Sequence, residues 1–286
     1  MMPDNWRVIE RSRCDLLGEG PLWSARDNAL YWVDILGQRV NRLTLSGEQV
    51  SSWPMPEPIG WLIERERAPG FIAGFASGFA ELALDPIVIK PIADPQPGHP
   101  ANRMNDAKAD SAGRIFAGTK AEDGQASGAL FRLDCDSCIT EVDSGYHIAN
   151  GPAISADGRF LFHTDSALNQ IFRLDILPDG SLGPRRLFLT FAPEWGSPDG
   201  MTIDAEGHLW VAHWGGSRVS RFRPDATLDR AIALPASQIT SCTFAGPHLD
   251  RMFVTSAADG VDEPYGGHLF EVDPGVKGLP TMRFGG

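Results

Sequence analysis

Along residues 197–216, SPDGMTIDAEGHLWVAHWGG, apolar side chains fall into two short runs separated by a tight polar turn. Large apolar residues alternate with smaller or polar ones in the second run, and a period of two places them on one face of a strand. The turn Asp-Ala-Glu-Gly favours a hairpin, because Gly tolerates positive φ and Asp bonds its own backbone. The same pattern returns in LWSARDNALYWVDILGQRVNRL, AKADSAGRIFAGTKAEDGQASGALFRLD and AISADGRFLFHTDSALNQIFRLD. Fainter copies are WLIERERAPGFIAGFASGFAEL and CTFAGPHLDRMFVTSA. Each predicts a strand, a turn, a second strand and a third strand further on.

Taking the turn residue as a marker gives Asn28, Gly70, Gly113, Gly158, Gly207 and Asp250, spaced by 42, 43, 45, 49 and 43 residues. That period matches a four-stranded propeller blade. Helical solenoids have similar periods, but no sustained 3.6-residue apolar pattern is present. The expected fold is therefore all-β, a six-bladed β-propeller with a central channel, formed by residues 1–286 as one domain. The flanking segments WRVIER and GGHLFEVDP are expected to supply strands that close the ring between the termini.

Composition sharpens this picture. The chain of 286 residues has 31 Gly and 22 Pro, high for a helical protein, while 8 Trp and 15 Phe suit packed sheets. A net charge of −12 argues against nucleic acid or an anionic membrane as partner, because phosphate binding needs clustered Lys and Arg. No apolar run of about 18 residues predicts a membrane span. The N-terminal MMPDNWRVIERSRCD is too charged for a secretory leader, and four cysteines make no disulfide framework, so a cytoplasmic location is expected.

The repeat phase also carries polar residues. Asp199, Asn150 and Asn105 each lie eight residues before their turn marker, and Glu19 lies nine before Asn28. Equivalent positions in different blades stand at equal height around one axis, and the start of the innermost strand faces the channel. Glu19, Asn105, Asn150 and Asp199 are thus expected to converge at one mouth. An Asp or Asn before a turn is ordinarily a turn residue, but four in phase point to a shared site. Facing carboxylates repel unless one is protonated or a cation intervenes. An all-oxygen set suits Ca²⁺, Mg²⁺ or Mn²⁺, and Zn²⁺ also accepts carboxylate oxygens.

On the stretches LGEGPLW, NRMNDAKADSAGRIFAGT, ANGPAISADGRFLFHTDS and PDGMTIDAEGHLWVAHWGG, the chain resembles the gluconolactonase and regucalcin family, also called the senescence-marker-protein family. The likeness runs in order from about Cys14 to the C-terminal FGG. It implies a six-bladed propeller with one divalent metal ion in the channel and hydrolysis of a small-molecule sugar lactone to an aldonic acid. Matched motif by motif, the family's metal ligands fall on Glu19, Asn150 and Asp199. Its substrate-binding positions fall on Arg103, Asn105 and Glu122, and Asp199 is implied as general base. Lys120, after AGT, replaces a hydrophobic residue of the animal members, and Met104 occupies a variable place; both bear on which sugar is used. Two other functions fit the same propeller: an arylesterase or organophosphate hydrolase, and a calcium-binding regulator without catalysis.

Other signals are weaker. Cys135 and Cys138 form a lone C-x-x-C without a second pair and read as a turn. His163 and His213 sit in alternating strand patterns, and Trp23 and Trp214 read as strand core. Neither a G-x-S-x-G elbow nor a P-loop or dinucleotide fingerprint occurs.

Overall fold

The structure, a computed structural model, describes residues 5–286; the first four residues of the charged N-terminal stretch lie outside the described residues. Six four-stranded antiparallel sheets are arranged as the blades of a β-propeller. Their innermost strands are Gly18–Ser24, Ile59–Glu64, Asn102–Ala109, Ala149–Ile154, Ser197–Ile203 and Ile239–Ala245, for blades one to six. Each touches the next in order and the sixth touches the first, so the ring is closed around a channel. In blades one to five the four strands follow one another in sequence. Blade six takes Ile239–Ala245, Arg251–Ser256 and Phe270–Val272 from the C-terminal part and Trp6–Val8 from the N-terminal part, paired Trp6 with Val272 and Val8 with Phe270. The closure expected from the two flanking segments is present. It stitches the two ends of the chain into one sheet, so the ring has no open edge between its first and last blades.

The hairpin turns follow from the repeat chemistry. Five of the six turn markers adopt positive φ: Asn28 at 48°, Gly70 at 83°, Gly113 at 80°, Gly158 at 71° and Gly207 at 80°. Blade six differs, because its left-handed residue is Leu249 at 53° rather than Asp250. The core is not at the axis but between the blades. Six apolar clusters fill the six blade interfaces, for example Tyr31, Phe71 and Phe75 between blades one and two, and Trp23, Trp32 and Phe253 between six and one. Trp23 is thus core, while Trp214 is only partly buried. His163 and His213 are fully buried strand residues, and burial pushes them down to about 3 and about 4 respectively, so both are neutral at pH 7. All four cysteines are free thiols. Among the described residues no helix is long and apolar enough to cross a membrane.

Every innermost strand carries a β-bulge near its start. The ladder slips between Glu19 and Leu22, Ile59 and Trp61, Met104 and Ala107, Asn150 and Ala153, Pro198 and Met201, and Ile239 and Ser241. One extra residue per strand bends it and re-aims the neighbouring side chains. Beyond the bulges lies a cavity of about 300 Å³, lined among others by Leu22, Ile63, Lys108 and Thr243. The C-terminal segment closes that end. Ala205 N–H donates to Lys277 O at 2.8 Å, Phe284 N–H to Glu64 O at 2.8 Å and Gly285 N–H to Gly113 O at 3.0 Å, so Leu279–Met282 lie across the opening.

Candidate metal centre

The bulges set the site. Asp199 and Gly200 together stand opposite Ala212 alone, and Asn105 and Asp106 stand opposite Gly118. Glu19 and Asn150 each immediately precede the equivalent slip. Close packing of neighbouring inner strands explains the glycines after Glu19 and Asp199. A Cβ on Gly200 would fall 2.1 Å from Ser241 Oγ and 2.8 Å from its Cα, so only glycine fits beside Asp199. Gly20, after Glu19, has φ 52° and little more room, with Gly60 O 3.1 Å from a built Cβ.

Glu19, Asn105, Asn150 and Asp199 are all buried, between 5% and 7% exposed. Asn150 Nδ2 donates to Asp199 Oδ1 and, at 3.3 Å, to Ser166 Oγ, which in turn donates to Pro198 O at 2.7 Å. That chain ties blade four to blade five and fixes the amide, leaving Asn150 Oδ1 buried with no hydrogen-bond partner among the described residues. Among the described residues Glu19 accepts only from the Gly20 N–H at 3.0 Å. Burial first, then the Asp199 and Asp106 carboxyls, push Glu19 well above the usual carboxylate range. Asp199 is raised in the same way, by burial and by Asp106.

Asp106 escaped the sequence reading. It occupies the place that glycine holds in EGP, NGP and DGM, and its carboxyl is buried and pushed up to about 7 by desolvation. The available signal was the break in the pattern: the blade-three copy reads NDA where three others have glycine second.

The donor set suits a divalent cation. Each buried carboxylate costs several kcal/mol to desolvate, a cost that a cation offsets and a neighbouring anion increases. The partnerless Asn150 Oδ1 is a third oxygen with a free lone pair. Among the described residues no group of three His, Cys, Asp or Glu side chains is placed to hold a metal ion; the candidate set is two carboxylates and this amide oxygen.

The other three residues form a second cluster at the same mouth. Arg103 donates through Nε to Glu122 Oε1 at 2.6 Å and through Nη1 to Asn105 Oδ1 at 2.8 Å. Asn105 Nδ2 donates to Ala149 O at 3.0 Å, so both ends of its amide are oriented. Arg103 is 8% exposed and lies inside the channel mouth, whereas half of the Glu122 side chain faces solvent. Partial burial raises the Glu122 carboxyl, but Arg103 and Lys120 outweigh it and hold the group below its usual value. Lys120 stands directly across the ladder from Arg103.

Comparison with known proteins matches this architecture. The model of the SMP-30/gluconolactonase/LRE-like region fits residues 17–258. The chain is 34% identical to regucalcin of Xenopus laevis, over 94% of this chain and 95% of that one. It is also 34% identical to L-arabinolactonase of Azospirillum brasilense, over 94% and 92% of the two chains. Among solved structures, a calcium-binding protein, regucalcin, from Agrobacterium tumefaciens superposes with a TM-score of 0.92 at 25% identity, covering 97% of this chain and 96% of the other. The chain belongs to the SMP-30/gluconolactonase/LRE-like family.

Proposed function

We propose that the protein hydrolyses a sugar lactone to the open-chain acid with one divalent metal ion held by Glu19, Asn150 and Asp199. The observation that carries this reading is the buried, partnerless Asn150 Oδ1 beside two carboxylates that repel one another without a cation. The Azospirillum relative, named an L-arabinolactonase, supports the substrate class.

When bound, such an ion supplies Lewis-acid polarisation of the lactone carbonyl and an acidified water. Asp199 accepts the proton as the water oxygen adds to the carbonyl carbon. The ring C–O bond then breaks, and the proton passes from Asp199 to the departing ring oxygen, leaving the hydroxyl and the new carboxylic acid, which ionises to the carboxylate by releasing its own proton to solvent. Arg103 offers guanidinium N–H groups to substrate oxygens, with Glu122 and Asn105 fixing its plane. Asn105 spends one N–H on Ala149 O and keeps the other for the substrate, while Glu122 accepts from sugar hydroxyls.

The test is acid release by metal-stripped protein with a panel of aldonolactones, before and after addition of Mn²⁺, Zn²⁺, Ca²⁺ or Mg²⁺. Restored turnover is the expected result and ranks sugars and metals together. Tight binding of Ca²⁺ without turnover of any lactone or aryl ester would instead favour the regulator.

A further inference from the structure

The half-buried amine of Lys120 has no part in the lactonase chemistry proposed for Asp199 and the metal ion. Its side chain is 28% exposed, and among the described residues its one ionic contact is Glu122 Oε1 at 3.7 Å. That oxygen is already taken by Arg103 at 2.6 Å. Two cations therefore share one carboxylate, and the weaker share falls to Lys120. The two cations are held together by the fold: Arg103 and Lys120 are direct partners on adjacent strands of blade three, and Lys120 also bridges to Ile148 at the start of blade four. Like charges directly opposite on a sheet are destabilising. Burial and the Arg103 charge both push the Lys120 amine below its ordinary value, so a further anion at this spot would be favourable. The amine also lies near enough to Asp199 for each to bias the other's charge, which puts it on the substrate side of the channel mouth.

We propose that Lys120 and Arg103 form an anion subsite, and that the preferred substrate is a sugar lactone bearing a second, anionic group: a carboxylate, phosphate or sulfonate away from the reacting carbonyl. Glu122 then serves as the placeholder that keeps the two cations in position in the free protein. The inference rests on the lactonase reading and deepens it. Arg103 spends Nε on Glu122 and Nη1 on Met104 O and Asn105 Oδ1, which leaves the two N–H groups of Nη2 for the anionic group, and Lys120 adds a point charge beside them. A neutral aldonolactone leaves Lys120 under-paired.

The test compares kcat/KM for glucono-δ-lactone with that for 6-phosphogluconolactone and for a monolactone of glucaric acid, in the wild type, Lys120→Met and Lys120→Arg. Charge-assisted contacts of this kind correspond to roughly a tenfold preference or more. The wild type should favour at least one anionic lactone to that extent, and the preference should weaken as NaCl is raised. Lys120→Met should lower the ratio about tenfold, chiefly through KM of the anionic lactone, and Lys120→Arg should keep most of it. The two anionic substrates tell phosphate from carboxylate. Equal use of charged and neutral lactones by the wild type overturns the subsite and leaves the lactonase standing, as does a ratio unmoved by Lys120→Met. Should no lactone be turned over with any divalent ion, the lactonase reading fails, and calorimetric titration with glucarate decides the subsite alone: binding weakened by Lys120→Met sustains it, and binding indifferent to that change or absent sinks it. The salt dependence and the substrate ratio of the wild type decide the matter even if Lys120→Met does not fold.

Discussion

Asp199 and Asp204 lie five residues apart in the same hairpin, and both are buried, yet their surroundings are opposite. Asp204 sits in the turn. It accepts from Arg221 Nε at 2.7 Å, Trp210 Nε1 at 2.9 Å, and the Glu206 and His208 N–H groups at 2.9 and 3.0 Å. Burial raises its carboxyl, but those donors prevail and hold it below the usual range. Asp199, at the channel end, has the Asn150 amide and a set of neighbouring carboxyls, and it is raised instead. One aspartate is placed to hold the hairpin together; the other is held by the hairpin at a cost. A buried acid surrounded by donors is a structural part, and a buried acid facing other acids is suited to bind a cation.

The largest effect that separates the two is on turnover. Asp199→Asn should reduce metal-dependent lactone hydrolysis by about three orders of magnitude, the scale of a lost general base, while the protein melts at or above the wild-type temperature when metal-free. Near-normal activity in that folded variant breaks the assignment. Asp204→Ala should do the reverse. Removing one partner of a buried ion pair costs about 3–5 kcal/mol, so a clear fall in denaturant midpoint is expected with little change in activity per folded molecule.

A pH series sharpens the contrast. The folded-state pKa of Asp204 is lowered, so its contribution to stability is present above the ordinary carboxyl value of about 3.9 and is lost as pH falls through the lower folded value. Melting curves of wild type and Asp204→Asn should therefore differ by a constant gap from pH 7 to about pH 5 and converge in stronger acid. A gap that widened in acid would contradict the hydrogen-bonded carboxylate. The smallest effect concerns the residue that orients Asn150. Ser166→Ala removes one of the two acceptors of Asn150 Nδ2 and the tie to Pro198 O, and metal affinity should weaken about tenfold, read by calorimetry, with the melting temperature nearly unchanged.

Much of this was legible in the chain alone. Period-two alternation and positive-φ turn residues announced six hairpins, and the near-constant spacing between turns announced one blade each. Asp250 shows the limit of that method: in HLDR the left-handed position falls on Leu249, a residue that no propensity would choose. Counting back from the turns picked out Glu19, Asn105, Asn150 and Asp199 as candidates, since phase within a repeat becomes height along an axis. It missed Asp106, which stands one step off that phase and enters the channel only through the bulge. A bulge is one residue gained by one strand against its partner, and alternation read from a single strand does not reveal the mismatch.

The sequence by itself determined the number of blades, the closure by both termini and the phase of the polar residues within the repeat, because these follow from local periodicity and turn chemistry repeated along the chain. Only the tertiary structure decided which of those residues lack partners. Whether Asn150 Oδ1, Asp106 or Lys120 is satisfied depends on atoms contributed by other strands and other blades, and the cost of an unpaired polar group arises only once the closed ring has excluded water from it.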